Sequence, residues 1–473
     1  MNHIPDEDVR KDVPPVSAPA LPARAEGGIP ELWNMAYPLI ISMAAATLMQ
    51  FVNRVFLSRY SADALAACVP GGILSFTFVC FFLGTTMYTN AFIAQYYGKK
   101  KLASVSIALW QGVILGLLSW VALIGLIPAG LWIINNSSHP QQVKVLEVEY
   151  FTILMAGGGF GILNAALGSF FTGRGKTKVT MLVNLGGNIL NILLSGLLIF
   201  GLGPIKSLGI TGAGYAFVAG NLFMTLVFTL LIFSRENREL YRTSRLMRFH
   251  PRLFMRLLKY GLPNGVGFFL DVASFTVFFF LAGNLDGPSL AANSILATIN
   301  TMAFMPVLGL GMATLTLVGQ RVGQKRHDIA EKTVYNAIRM TICYVGLISL
   351  FFFLCPGLFV NLFGSPDAPQ YAAILEKSRR LMRILAVFVL FDGIGIVFSD
   401  AIKGAGDTRF QMMTASLCAW LVFVPGSYIC VYVLHTPLEY VWGWACVYVF
   451  LLALIFWLRF RSNKWREIDI LKH

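Results

Sequence analysis

Residues 107–134 read IALWQGVILGLLSWVALIGLIPAGLWII and contain no charged side chain. As an α-helix this run is about 40 Å long, more than the roughly 30 Å of bilayer hydrocarbon. Residues 209–233, GITGAGYAFVAGNLFMTLVFTLLIF, repeat the pattern. A soluble core breaks its apolar residues into short periodic segments, so uninterrupted runs of this length mark membrane spans. The whole 473-residue chain agrees, with 56% hydrophobic and 13% charged residues against roughly 25% charged in an ordinary soluble domain. Its mean hydropathy is +0.68.

Charge, Gly/Pro clusters and Asn/Ser clusters bound six apolar runs near 33–57, 68–97, 105–134, 150–172, 179–202 and 209–234. Six more follow near 258–283, 289–320, 333–363, 381–403, 410–434 and 438–460. The basic residues sort to alternate loops: Lys99 to Lys101, Arg174 to Lys178, Arg235 to Lys259, Arg321 to Lys332, Lys403 with Arg409, and the tail from Arg459. These loops join Arg10, Lys11 and Arg24 on one side, which the positive-inside rule makes cytoplasmic. Both termini are then cytoplasmic, and the number of spans must be even. The fold class that results is all-α integral membrane, with twelve transmembrane helices.

Residues 1–30 hold acids and prolines without an apolar stretch, so they are expected to form a disordered cytoplasmic tail and not a cleaved leader. Residues 31–234 make an N-terminal six-helix lobe and 258–460 a C-terminal one. Residues 235–257 form a basic cytoplasmic linker, and 461–473 a cytoplasmic tail. The net charge of +14 belongs to this topology; no basic segment alternates with aromatics on a soluble module, so no nucleic-acid partner is expected. The seven cysteines lie in or beside apolar runs without metal-ligand spacing, and are read as packing residues.

The two halves repeat. At an offset of 225 positions, Pro38 matches Pro263, Leu65-Ala66-Ala67 matches Leu290-Ala291-Ala292, Gly84 matches Gly309, Gln95 matches Gln320 and Gly98 matches Gly323. At an offset of 231, the turn Gly173-Arg-Gly-Lys-Thr-Lys matches Gly404-Ala-Gly-Asp-Thr-Arg. Six spans return the chain to its starting side, so the halves are parallel, pseudo-symmetric bundles about an axis along the membrane normal. Gly175-Lys176-Thr177 ends like a phosphate loop, but the required upstream glycine is Phe170, and no nucleotide is expected.

Two acids lie where acids are expensive. Asp271 and Asp392 fall near the centres of the spans 258–283 and 381–403, where a carboxylate costs about 2.5–3.5 kcal/mol on insertion scales. Each must face a wet cavity, a cation or a proton, which marks a functional site. Asp400, nearer the cytoplasmic end, is expected to matter less. The N-terminal lobe offers neutral groups instead: Gln50, Asn53, Asn184, Asn188, Asn191 and Ser195. The last four recur at helical spacing and read as a cavity-lining stripe, with helix-packing hydrogen bonds as the alternative. Phe268, Phe269, Phe388 and Phe391 are candidate aromatic walls for a flat cation.

The paired prolines, Leu-Ala-Ala triplets, Gln-x-x-Gly endings and Gly-rich basic turns, with Asn188 and Asn191, together resemble the multidrug and toxic compound extrusion (MATE) family from about Trp33 to Phe460. The resemblance implies a secondary antiporter exporting organic cations or amphiphilic toxic compounds, coupled to H+ or Na+ and needing no cofactor. It is nearest the norfloxacin-extruding branch, whose acidic residues of the C-terminal lobe match Asp271 and Asp392. It therefore implies that these two hold the coupling ion and the substrate cation, Na+ being the one metal ion expected there. That branch tends to carry an acid where this chain has Asn53. The DNA-damage-inducible branch carries one where this chain has Ser195, so coupling is expected to concentrate in the C-terminal lobe.

The expected protein is a monomer in the cytoplasmic (inner) membrane of a bacterium, with the lipid bilayer and small organic cations as partners. The alternative function is a flippase or exporter of a lipid-linked or bulky amphiphile. An enzyme is not expected, since no nucleophile elbow or His/Cys/Asp cluster occurs in the loops.

Overall fold

The computed structural model describes residues 26–201, 206–283, 287–360 and 371–471. In a bilayer every backbone polar group must be satisfied within the segment, which leaves the helix as the form for these runs. Twelve helices among the described residues are long and apolar enough to cross. In the first lobe they are α1 (Ile29–Tyr60), α2 (Ala62–Gly98), α3 (Leu102–Asn135), α4 (Gln141–Thr172), α5 (Thr177–Phe200) and α6 (Gly209–Ile232). The second lobe holds α7 (Pro251–Gly283), α8 (Gly287–Gly323), α9 (His327–Leu354), α10 (Tyr371–Ala405), α11 (Thr408–Val433) and α12 (Leu438–Arg461). Several begin earlier than their apolar portions: α1 starts at Ile29 and α7 at Pro251, each extended by a polar first turn or two.

The sequence repeat reappears as matched backbone. Lys100 and Lys325, 225 positions apart, are both left-handed at φ 57° and 61°. Gly175 and Gly406, 231 apart, also have positive φ, at 81° and 112°, conformations that glycine adopts without steric cost. The basic Gly-rich turns are thus tight reversals from α4 into α5 and from α10 into α11. One helix departs from regularity: α11 contains π-helical turns at Cys418–Phe423 and Ile429–Val433 on either side of Pro425. A proline there lacks the N–H that a regular ladder would use.

The lobes meet at the end that carries the termini. Gly98 and Gly323 let the backbones of α2 and α8 cross. A methyl group at residue 98 would lie 2.1 Å from the Gln320 carbonyl oxygen, and one at residue 323 would lie 2.2 Å from that of Gln95. The two glutamines then reach over the seam. Gln95 Nε2 donates to the Gly404 carbonyl at 3.1 Å, and Gln320 Nε2 donates to the Gly173 carbonyl at 2.8 Å. Asn90 donates to Thr316 Oγ1 at 2.8 Å, and Asn264 to the Gly84 carbonyl at 2.6 Å. The repeated motifs are therefore the seam itself.

The segments flanking the helical bundle also cross it. Glu31 pairs with Arg321 of the second lobe at 2.5 Å, Glu26 pairs with Arg326, and Asn336 donates to the Gly27 carbonyl at 2.8 Å. The start of α1 is thereby fastened to α8 and α9; the part of the expected tail before residue 26 lies outside the described residues. In return, the segment after α12 reaches the first lobe: Ile470 is buried among first-lobe residues including Tyr88 and Phe92, and Asp469 faces Lys99 at 3.4 Å. Trp465 is fully buried against Phe460. The linker after α6 folds as a short helix, Arg235–Tyr241, and packs on the first lobe, with Trp110 donating to the Thr243 carbonyl at 2.9 Å.

Candidate functional site

The interior of the second lobe collects the ionisable groups. Asp271 projects from α7 and Asp392 from α10, both half-buried and within electrostatic reach of one another. A residue not singled out in the sequence belongs to the same neighbourhood. Tyr448 of α12 is 1% exposed, lies within electrostatic reach of both carboxylates, and its hydroxyl has no hydrogen-bond partner. Stacking of its ring on Phe423 of α11, with centroids 4.5 Å apart, fixes its direction. A buried hydroxyl without a partner costs on the order of 1–3 kcal/mol, so one kept beside two carboxylates reads as a ligand in waiting.

Among the described residues no lysine or arginine lies within ion-pair distance of either carboxylate. The nearest compensating charge is Lys403 of α10, whose field reaches Asp271 while its Nζ lies 3.2 Å from Asp400 Oδ1. Asp271 and Asp392 thus have no ion-pair partner among the described residues, whereas Asp400 and Asp407 are paired with Lys403 and Arg459. Two unpaired carboxylates at this depth call for a cation, a proton or a wet cavity. Among the described residues no group of three or more His, Cys, Asp or Glu is arranged to hold a metal ion.

The expected aromatic walls separate. Phe268 sits at the seam, edge-on to Phe76 of the first lobe with centroids 6.2 Å apart and against Gly84. Phe391 packs edge-on against Phe450, and Phe269 of α7 is half-buried. Phe388 is instead wholly buried between Phe275 and Trp442. It forms part of the lobe's core and has no face left for a ligand.

The polar residues of the first lobe also divide. Asn53 of α1 donates to Asn191 Oδ1 of α5 at 2.9 Å, and Ser195 Oγ lies 3.4 Å from the same oxygen. Asn53, Asn191 and Ser195 are thus one inter-helix cluster, in which Asn53 Oδ1 and Asn191 Nδ2 remain without partners. Asn188 is buried one turn away, Asn184 is half-buried, and Gln50 is exposed. The acid this lobe does bury is Glu147, near the far end of α4 and held by His139 at 2.8 Å. In the sequence it was hidden among the neighbouring charges Lys144 and Glu149.

Two six-helix lobes joined at one end define a class, the two-lobed polytopic membrane proteins. The fold matches a MOP superfamily transporter from Pyrococcus furiosus with a TM-score of 0.85 at 20% identity, over 93% of this chain and 96% of that one. It also matches the outward-facing conformation of a multidrug resistance MATE family transporter, with a TM-score of 0.83 at 21% identity over 94% and 96%. The family description MatE matches residues 38–197 and 263–429. The chain belongs to the MatE family, a multi-pass membrane group of transporters rather than enzymes. Relatives include the multidrug resistance protein PmpM of Pseudomonas aeruginosa, 26% identical over 87% of each chain, and a probable multidrug resistance protein NorM of Aromatoleum aromaticum, 24% identical over 88% of each.

Proposed function

We propose that the protein is a secondary active multidrug exporter that exchanges H+ or Na+ for organic cations and amphiphilic toxic compounds across a bacterial cytoplasmic membrane. The observation that carries this reading is the uncompensated pair Asp271 and Asp392, set against the unpartnered hydroxyl of Tyr448. A site with surplus negative charge in a poorly solvated interior binds one cation well and two badly. Coupling ion and organic cation therefore compete, and binding of one expels the other.

The seam supplies the complementary half of the cycle. In the described conformation it is closed at the end carrying the termini, so the drug leaves from the opposite end and the lobes must part at the seam to reload. The protein works as a monomer, since a single pair of lobes encloses the site. The reading is tested by efflux of ethidium from inverted vesicles under separately imposed proton and sodium gradients. Ethidium movement driven by one of these gradients supports exchange; movement indifferent to both supports instead a flippase or uniporter.

A further inference from the structure

The linker that leaves α6 is stapled along α3. Ser106 donates its hydroxyl to the Tyr241 carbonyl at 2.8 Å, and Trp110 its indole N–H to the Thr243 carbonyl at 2.9 Å. Gln111 donates to the Arg248 carbonyl at 2.8 Å and accepts from the His250 backbone N–H at 3.0 Å. These three residues belong to the second and third turns of α3, which begins at Leu102, and Trp110 and Gln111 already lie in the uncharged run 107–134. That run is about 10 Å longer than the hydrocarbon it crosses. Its first turns, and the linker bonded to them, therefore stand at the boundary between headgroups and acyl chains.

Two kinds of side chain alternate on the linker at that level. Met247, Phe249 and Met255 are 53%, 56% and 62% exposed, with Phe249 braced by the ring of Phe254, centroids 5.2 Å apart. Among them Arg245, Arg248 and Arg252 are also exposed, and within the described residues none of the three guanidinium groups has a hydrogen bond or an ion pair. Residues 240–270 contain no acid that could serve them. The positive-inside rule accounts for basic residues on this side. It does not account for three large apolar side chains set among them.

We propose that this face is a docking site for an anionic phospholipid of the leaflet next to the basic loops. The forked guanidinium groups take the phosphate oxygens, while Met247, Phe249 and Met255 enter the interface beside the glycerol and the first acyl carbons. Charge and apolar surface together select this occupant. A zwitterionic headgroup offers the arginines no net charge to neutralise, and a soluble anion would leave the apolar side chains in water. The segment is bonded to the first lobe and runs on into α7 of the second, so the bound lipid sits at the joint between the lobes. None of this depends on Asp271, on Asp392 or on which ion drives transport, so the antiport reading and this one fail separately.

The test is native mass spectrometry of the full chain released from detergent, titrated with phosphatidylglycerol or with phosphatidylcholine of the same acyl chains. The first phosphatidylglycerol is expected to bind at about tenfold lower concentration than the first phosphatidylcholine. Arg245→Gln, Arg248→Gln and Arg252→Gln each weaken phosphatidylglycerol binding about fivefold and leave phosphatidylcholine binding unchanged. Phe249→Ser weakens phosphatidylglycerol binding with every arginine in place. Lys325→Gln and Lys464→Gln, which remove exposed charges in other basic loops, leave it at the wild-type value. Equal affinity of the wild-type chain for the two lipids overturns the proposal without recourse to any variant. A preference that survives all three glutamines together also overturns it. So does displacement of phosphatidylglycerol by millimolar inorganic phosphate, which would make the arginines a site for soluble anions.

Discussion

Tyr88 of the first lobe donates its hydroxyl to the backbone carbonyl of Lys403 in the second, across 3.0 Å. The bond is partly buried, joins the lobes at their closed end, and involves a carbonyl in the last turns of α10. Tyr88→Phe removes it and leaves that carbonyl without this donor, at a cost of about 1 kcal/mol. Closed and open populations then shift by about fivefold toward open. Spin labels at residues 100 and 324, one in each lobe, measure this as a longer distance component. An unchanged distribution means that the bond does not hold the seam.

Glycines 98 and 323 tolerate no side chain while the seam is closed, because a methyl group would lie 2.1 or 2.2 Å from a backbone oxygen. Gly98→Ala and Gly323→Ala are each expected to disfavour closure by about 1–3 kcal/mol or more. The lobes themselves stay folded, since neither glycine packs inside its own lobe. Helical content by circular dichroism stays at the wild-type level while ethidium efflux falls at least tenfold. Wild-type efflux from either variant would mean that the closed seam lies outside the transport cycle.

Asp271→Asn and Asp392→Asn preserve size and remove charge. Each is expected to abolish ion-driven efflux at normal membrane abundance, because a neutral amide neither exchanges a proton near neutral pH nor attracts a cation. Restoring an acid in the first lobe by Asn53→Asp leaves that dependence in place. Efflux that becomes cation-dependent only in Asn53→Asp would move the coupling site to the first lobe.

Tyr448→Phe removes an oxygen that has no other partner, so the fold loses little and the ion site loses a ligand. Hydrogen bonds to charged groups contribute about 1.5–3 kcal/mol, which makes the expected loss of cation affinity about tenfold to a hundredfold. The cation dependence of efflux reads it directly. Thermal stability at or slightly above wild type, in the absence of the ion, separates this role from a packing defect.

Sidedness has its own check. A cysteine at Ser138, in the turn between α3 and α4, is expected to react with an impermeant maleimide applied to intact cells, because the basic loops lie at the opposite end. Reaction that requires permeabilisation inverts the topology.

The fold was largely legible because solvent dictates it: runs such as 107–134 have one stable form in hydrocarbon, and the repeat at 225 and 231 positions fixed the division into lobes. Asp271 and Asp392 stood out as candidates for the same reason, being costly at their depth. Tyr448 was not. A tyrosine in the run WGWACVYVF is one aromatic among many, and only the stacking on Phe423 shows where its hydroxyl points. Nor could spacing show that Phe388 faces inward while Phe391 packs on Phe450, or that Asn53 and Asn191, 138 positions apart, share a hydrogen bond. Those facts depend on how helices rotate about their axes, which an all-round apolar helix leaves unspecified.

The crossing of Gly98 over Gln320 and of Gly323 over Gln95 makes the same contact twice with the roles exchanged. That reciprocity is the property of an isologous interface between two copies of one subunit. A six-helix ancestor whose glycine met its twin's glutamine could assemble as a symmetric pair, and fusion of the two copies would retain the contact unchanged. Fusion also released each half from obeying the other elsewhere. Where Asp400 and Lys403 stand, the first half has Ser169 and Thr172: the contact between the halves is symmetric while their charge is not.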